Sequence, residues 1–205
     1  MKNSRIVAVI ILVAAAVIGI TAIIVSQSRQ EASVTGALGV STAVPIGGPF
    51  QMADHTGRAV DQTLLQGRYS LIYFGYTFCP DVCPTELQDM SVALDLVGQG
   101  SDKVTPIFVT VDPGRDGQSQ MADYVEAFHP RMIGLRGTEA QTTVMAKAFR
   151  VYYAPVDKKE GEDYYLMDHS NFIYLMGPDG QNIAIFNGDV APEVMAQGIR
   201  EAVGG

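Results

Sequence analysis

The hydrophobic pattern of the chain changes character twice. Ile6 to Val25 is an uncharged run, and only Gly19 and Thr21 interrupt its apolar side chains. As a helix, 20 residues span about 30 Å, the thickness of a bilayer's hydrocarbon core. A signal peptide has a shorter apolar region, about 7–15 residues, and a small-residue cleavage site that is missing here. No cysteine stands near the end of the run, which argues against a lipoprotein. We read 6–25 as an uncleaved transmembrane anchor behind a cytoplasmic stub, 1–5. Lys2 and Arg5 hold that stub on the cytoplasmic side. Residues 26–44 are rich in Ser, Ala, Gly and Val without periodicity, a flexible linker. The domain expected beyond it is 45–205.

From Phe50 onward, strand and helix patterns alternate. Asp54-His55-Thr56-Gly57 is turn chemistry between two short strands. Leu71-Ile72-Tyr73-Phe74 is a continuous apolar run, as in a strand buried on both faces. Leu87, Met90, Leu94 and Val97 recur at helical spacing. Val104 to Val111 predicts a second buried strand, weakened at Pro106. Met121, Tyr124, Val125 and Phe128 mark a second amphipathic helix. Thr138-x-x-Gln141 is a capping box opening a third. Phe172 to Met176 and Ile183 to Phe186 flank Gly177-Pro178-Asp179-Gly180, a hairpin signal, and a last helix runs from about Pro192 to Val203. The alternation predicts a three-layer α/β domain with a central mixed β-sheet.

Composition narrows the function. The chain carries a net charge of −8, with three basic residues against one acid before residue 44 and an acidic remainder. That balance argues against nucleic acid and favours a cationic partner or a metal ion. Two cysteines cannot build a four-cysteine zinc site or a disulfide scaffold. The stub is too short for a mitochondrial transit peptide, so the expected location is a bacterial inner membrane with the domain in the periplasm.

The chemistry centres on Cys79-Pro80-Asp81-Val82-Cys83-Pro84, between the first buried strand and the first helix. Ligands of open α/β sheets sit at the carboxyl ends of strands. A helix N-terminus favours thiolate over thiol, so an unusually acidic Cys83 is expected. The pair reads as a soft-metal site, a redox pair or a stabilising disulfide. Two thiolates suit Cu(I), and a third ligand must come from elsewhere. Of the three histidines, His55 lies in an exposed turn and His129 ends a helix, whereas His169 stands in Asp168-His169-Ser170 just before a strand. Asp168 is placed to orient its ring. From the residues alone, His169 reads equally as a ligand or as a structural histidine. The nine methionines sit at core-like positions, and Asp112-Pro113 either lines the site or forms a turn.

Tyr73-Phe74-Gly75-Tyr76-Thr77-Phe78 with the CxxxC, Val111-Asp112-Pro113-x-Arg115-Asp116, Phe128-His129-Pro130 and Asp168-His169-Ser170 together resemble the signatures of the Sco/SenC family of copper-binding assembly proteins. The resemblance covers about residues 45 to 203. It implies a thioredoxin-like fold and copper held by Cys79, Cys83 and His169, as Cu(I), with Cu(II) tolerated through the imidazole. It implies assembly of the CuA centre of cytochrome c oxidase subunit II. An upstream periplasmic copper donor and a thiol reductant are further expected partners. The alternative is a dedicated thiol–disulfide reductase for that subunit's cysteines. Here Gly117-Gln118 replaces the Thr-Pro that often follows the aspartate, which leaves that loop's conformation open. Val82-Cys83-Pro84-Thr85-Glu86 also resembles the active segment of some peroxiredoxins, but ahead of it Tyr76 and Pro80 stand where their pattern requires Pro and Thr or Ser.

Overall fold

The computed structural model describes residues 45–156 and 164–204. They lie in one of the chain's two units, Leu38–Gly205. The anchor and linker expected at 6–25 and 26–44 fall outside the described residues. Among those described, no helix is long and apolar enough to cross a membrane. In chain order the elements are β1 (Gln51–Asp54), β2 (Ala59–Asp61), β3 (Tyr69–Gly75), α1 (Val82–Val97), β4 (Val104–Thr110), α2 (Gln118–Glu126), β5 (Ile133–Arg136), α3 (Glu139–Phe149), β6 (Tyr153–Val156), β7 (Leu166–His169), β8 (Phe172–Met176), β9 (Asn182–Asn187) and α4 (Pro192–Gly204).

The two continuous apolar runs form the middle of the sheet. β3 and β4 pair in parallel, Tyr73 opposite Phe108 and Gly75 opposite Thr110. Both are covered on both faces, which is why neither alternates polar with apolar. The sheet is mixed, in the order β2-β1-β5-β4-β3-β8-β9. β5 pairs only with Ile107 to Val109 of β4, so Pro106 lies past the end of that ladder, where a missing N–H is tolerated. One face carries α1 and α2. Cys83 approaches Gly75, and Tyr124 packs on Phe108 with ring centroids 5.3 Å apart. α4 lies against α1. The other face carries α3, whose Phe149 meets Phe74 at 5.3 Å and Tyr174 at 5.6 Å. Each such buried aromatic contributes about 1.5–3 kcal/mol. This is the expected thioredoxin-like α/β fold. Thr138 caps α3 as its sequence predicts: Gln141 N–H donates to Thr138 Oγ1 at 3.3 Å, and Thr138 N–H donates to Gln141 Oε1 at 2.8 Å.

Three strands escaped the sequence pattern. β5 is four residues with a glycine in it. β6 and β7 form a hairpin of their own, outside the main sheet. Pro155 and the exposed residues of β6 hide its periodicity. His169 therefore not only precedes the strand at Phe172 but ends a strand of its own.

Gly75 fixes how closely α1 can approach. A Cβ there would stand 2.8 Å from Cys83 Sγ and 3.0 Å from the Phe108 ring. Gly75→Ala is expected to cost about 1–3 kcal/mol by overpacking. Urea unfolding measures it, and an unchanged midpoint would show that the strand–helix gap is not filled by Cys83.

Candidate metal centre

The first turn of α1 has N–H groups with no intrahelical partner. Asp81, at the N-cap, makes no side-chain bond to them. Cys79 does: its Sγ accepts from the Cys83 N–H at 3.4 Å. Pro84, third in the helix, has no N–H to leave unpaired. The Cys79 sulfur is held down at about 3, first by a hydrogen bond from the Cys83 side chain. Burial opposes this, while the His169 ring and the N–H groups of Cys83 and Asp81 add to it. Cys83 moves the other way, far above the usual thiol range, because it donates to Cys79 and is buried. The expectation of an acidic Cys83 is thus reversed. The sulfur ahead of the helix faces the N–H groups, whereas the one within the first turn is packed into the core.

Cys83 is fully buried and its Sγ lies 3.4 Å from His169 Nε2. The His169 Nδ1 lies 3.1 Å from the Ser170 carbonyl, which can only accept. Nδ1 therefore carries a proton, and Nε2 is the nitrogen turned toward the sulfurs. The Tyr73 and Tyr76 rings stand edge-on to the imidazole at 6.1 and 5.9 Å. Asp168, expected to orient the ring, is exposed, and the Ser170 carbonyl does that work. The other histidines serve the scaffold. His55, half-buried, accepts from the Gly134 N–H, and His129 from the Arg131 N–H, each at 3.1 Å. Asp112 is buried against Arg115 and Tyr165. The methionines at 52, 90, 121, 132, 145, 176 and 195 are core.

One buried network was missed. Asn171 donates to Glu86 Oε1 at 3.0 Å and accepts from the Tyr73 hydroxyl at 3.1 Å, beside Cys83. Gly188 makes room for Asn171, whose amide nitrogen would stand 2.0 Å from any Cβ there. The available signal was Glu86 itself, a carboxylate between Cys83 and Leu87 on the apolar stripe of α1.

Cys79 and Cys83 are free thiols. Together with His169 they offer two sulfurs and an imidazole nitrogen, a soft donor set. Among the described residues no three His, Cys, Asp or Glu already stand at metal-ligand spacing. An ion of zinc's size holds a sulfur and a nitrogen about 3.6–3.8 Å apart. The pair at 3.4 Å needs to open by only about 0.3 Å. Phe78 and Val82 stand exposed beside the sulfurs, which leaves the site at the surface.

The sequence pattern described as SCO1/SenC matches residues 39–204. The chain belongs to the SCO1/SenC family. Protein sco1 of Schizosaccharomyces pombe is 44% identical over 156 residues, covering 75% of this chain and 59% of that protein. A SCO2-like protein of Rickettsia conorii is 35% identical over 194 residues, 93% of this chain and 95% of that one. The chain thus spans little more than half of the fungal relative and nearly all of the rickettsial one. Among solved SCO1/SenC structures, copper-bound ScoI of Bradyrhizobium japonicum is 43% identical with a TM-score of 0.69, covering 77% of this chain and 99% of that chain. Yeast Sco1 with copper bound is 37% identical with a TM-score of 0.72, covering 78% and 90%.

Two predictions follow from the charge states. With its sulfur held at about 3, Cys79 is a thiolate throughout the neutral range. Its alkylation rate is expected to stay nearly flat from about pH 5 to 8, where an ordinary thiol near 8.5 gains steeply. Cys83→Ala removes the main donor and is expected to restore the slope; a steep wild-type profile would contradict the assignment. Burial, ahead of all other causes, pushes the Glu86 carboxyl up to about 7. A carboxyl higher in the folded than the unfolded chain favours folding at low pH. That contribution fades as pH rises from about 4.3 toward 7. Glu86→Gln should therefore gain thermal stability over the wild type from pH 5 to pH 8, and a constant Tm difference would count against it.

Proposed function

We propose that this chain is a membrane-anchored copper chaperone, binding copper through Cys79, Cys83 and His169. Its cargo serves the CuA centre of cytochrome c oxidase subunit II, the role its family resemblance implies. The observation that carries the reading is His169 Nε2 at 3.4 Å from Cys83 Sγ, beside the Cys79 thiolate. Relatives at 43% and 37% identity are described with copper bound. Thiolates and imidazole suit Cu(I), and the imidazole also makes Cu(II) acceptable. Cys83 gives up its proton on loading, so binding tightens as pH rises. Three donors close fewer positions than a structural four-ligand site, which leaves a face open for exchange. The anchor at 6–25 places the domain on the periplasmic side of a bacterial inner membrane. There it takes copper from an upstream donor, and a thiol reductant keeps the cysteines loadable.

A second reading has its own support. A half-buried thiolate next to a buried thiol is the arrangement of an attacking and a resolving cysteine. In that role Cys79 would attack a disulfide of the subunit's CuA site, and Cys83 would release the mixed disulfide. That exchange forms no bond to His169, whereas copper binding would, so copper affinity in a His169 variant discriminates between the two readings.

Anaerobic titration of the reduced chain with Cu(I), against a competing chelator, decides between them. One copper per chain is expected, weakened more than about tenfold in His169→Ala, since loss of an outer partner alone reaches that size. Weak binding indifferent to His169 would overturn the chaperone and favour the reductase.

A further inference from the structure

We propose that Arg115 is a positioning residue for His169, pinning the β6–β7 hairpin onto the cysteine loop. The proposal rests on the reading of His169 as a ligand. Among the described residues, β6 and β7 form a two-stranded sheet apart from the main one. Along β7 and the residue before it, burial alternates. Tyr165, Met167 and His169 are covered, whereas Leu166 and Asp168 are exposed. The covered three share one strand face. Tyr165 lies four residues from His169, about 13 Å of extended strand.

Arg115 grips that far end. Its Nη1 donates to the Tyr165 carbonyl at 2.7 Å, and its guanidinium lies 3.6 Å from the Tyr165 ring centroid. Its Nε donates to Asp112 Oδ2 at 2.5 Å, and the Tyr165 hydroxyl donates to Asp112 Oδ1 at 2.8 Å. The same guanidinium stands 5.1 Å from the Phe78 ring, next to Cys79. One planar group thus joins the turn after β4, the cysteine loop and the strand that ends in His169. The Met167 N–H, donating to the Tyr76 hydroxyl, holds the middle of the strand. Arg115 Nη2 is buried without a partner. A buried ion pair with an orphan donor is a poor source of stability. What the fork and the stack supply is direction, along two perpendicular axes, which a lysine cannot reproduce.

The test is a double-mutant cycle on the whole chain, read by Cu(I) competition: wild type, Arg115→Met, His169→Ala and both together. Arg115→Met is expected to weaken binding about 10- to 100-fold, the size of an outer-partner loss. In the His169→Ala background it should weaken binding no further. Equal losses in both backgrounds, or no loss while His169→Ala still weakens binding, would overturn the pin and leave the ligand reading intact. A His169→Ala variant that binds as the wild type would instead sink the ligand reading. A metal-free readout is independent of both. In Arg115→Lys, which keeps the charge beside Asp112, the His169 ring resonances should shift and β7 amides should exchange faster, with β3 and β4 unchanged. Unmoved ring resonances would overturn the pin, also if Arg115→Met fails to fold.

Discussion

The unpartnered N–H groups at the start of α1 are where the chemistry of this fold begins. Asp81 leaves them open, and the Cys79 sulfur takes one of them. Helix-end electrostatics alone contribute about 0.3–1 kcal/mol at an exposed end, less than a tenfold change in acidity requires. Donation from the Cys83 thiol is the larger cause, so the two cysteines are unequal because they face each other. That asymmetry depends on Cys83 being pressed into the gap above Gly75, which only the β3–α1 packing creates.

The site has one half set in the sheet and one half attached to it. Cys79 and Cys83 follow from β3, the strand at the middle of the core. His169 comes from a hairpin that contacts the core through side chains: Tyr165 on Arg115, Met167 on Tyr76, and its own ring against Tyr73 and Tyr76. Elements held by side chains open more readily than central strands. Under the proposed carrier role, such a division would keep two donors fixed while the third is held by replaceable contacts. The buried Glu86–Asn171–Tyr73 network sits under this junction and ties α1 to the residues entering β8.

Local sequence determined a good deal. Uninterrupted apolar strands, helical stripes, the Thr138 capping box and the hairpin at Gly177 are patterns of neighbouring residues, and each formed where its pattern stood. The CxxxC ahead of a helix marked the site for the same reason, because strand, loop and helix are contiguous. The β6–β7 hairpin was illegible: its strands are short, half-exposed and interrupted by Pro155, so no period of two emerges.

Tertiary structure decided the relations between distant residues. Cys83 and His169 meet across 86 positions, Asn171 and Glu86 across 85, Arg115 and Tyr165 across 50. No periodicity connects such pairs: from the residues alone His169 reads equally as ligand or scaffold, and its place beside a sulfur comes from the fold. The choice of Cys79 over Cys83 as thiolate, and of the Ser170 carbonyl over Asp168 as the ring's partner, was likewise three-dimensional. Residue type and spacing fix which chemistry is available. Burial and direction, which depend on what packs against each side chain, fix which atom performs it.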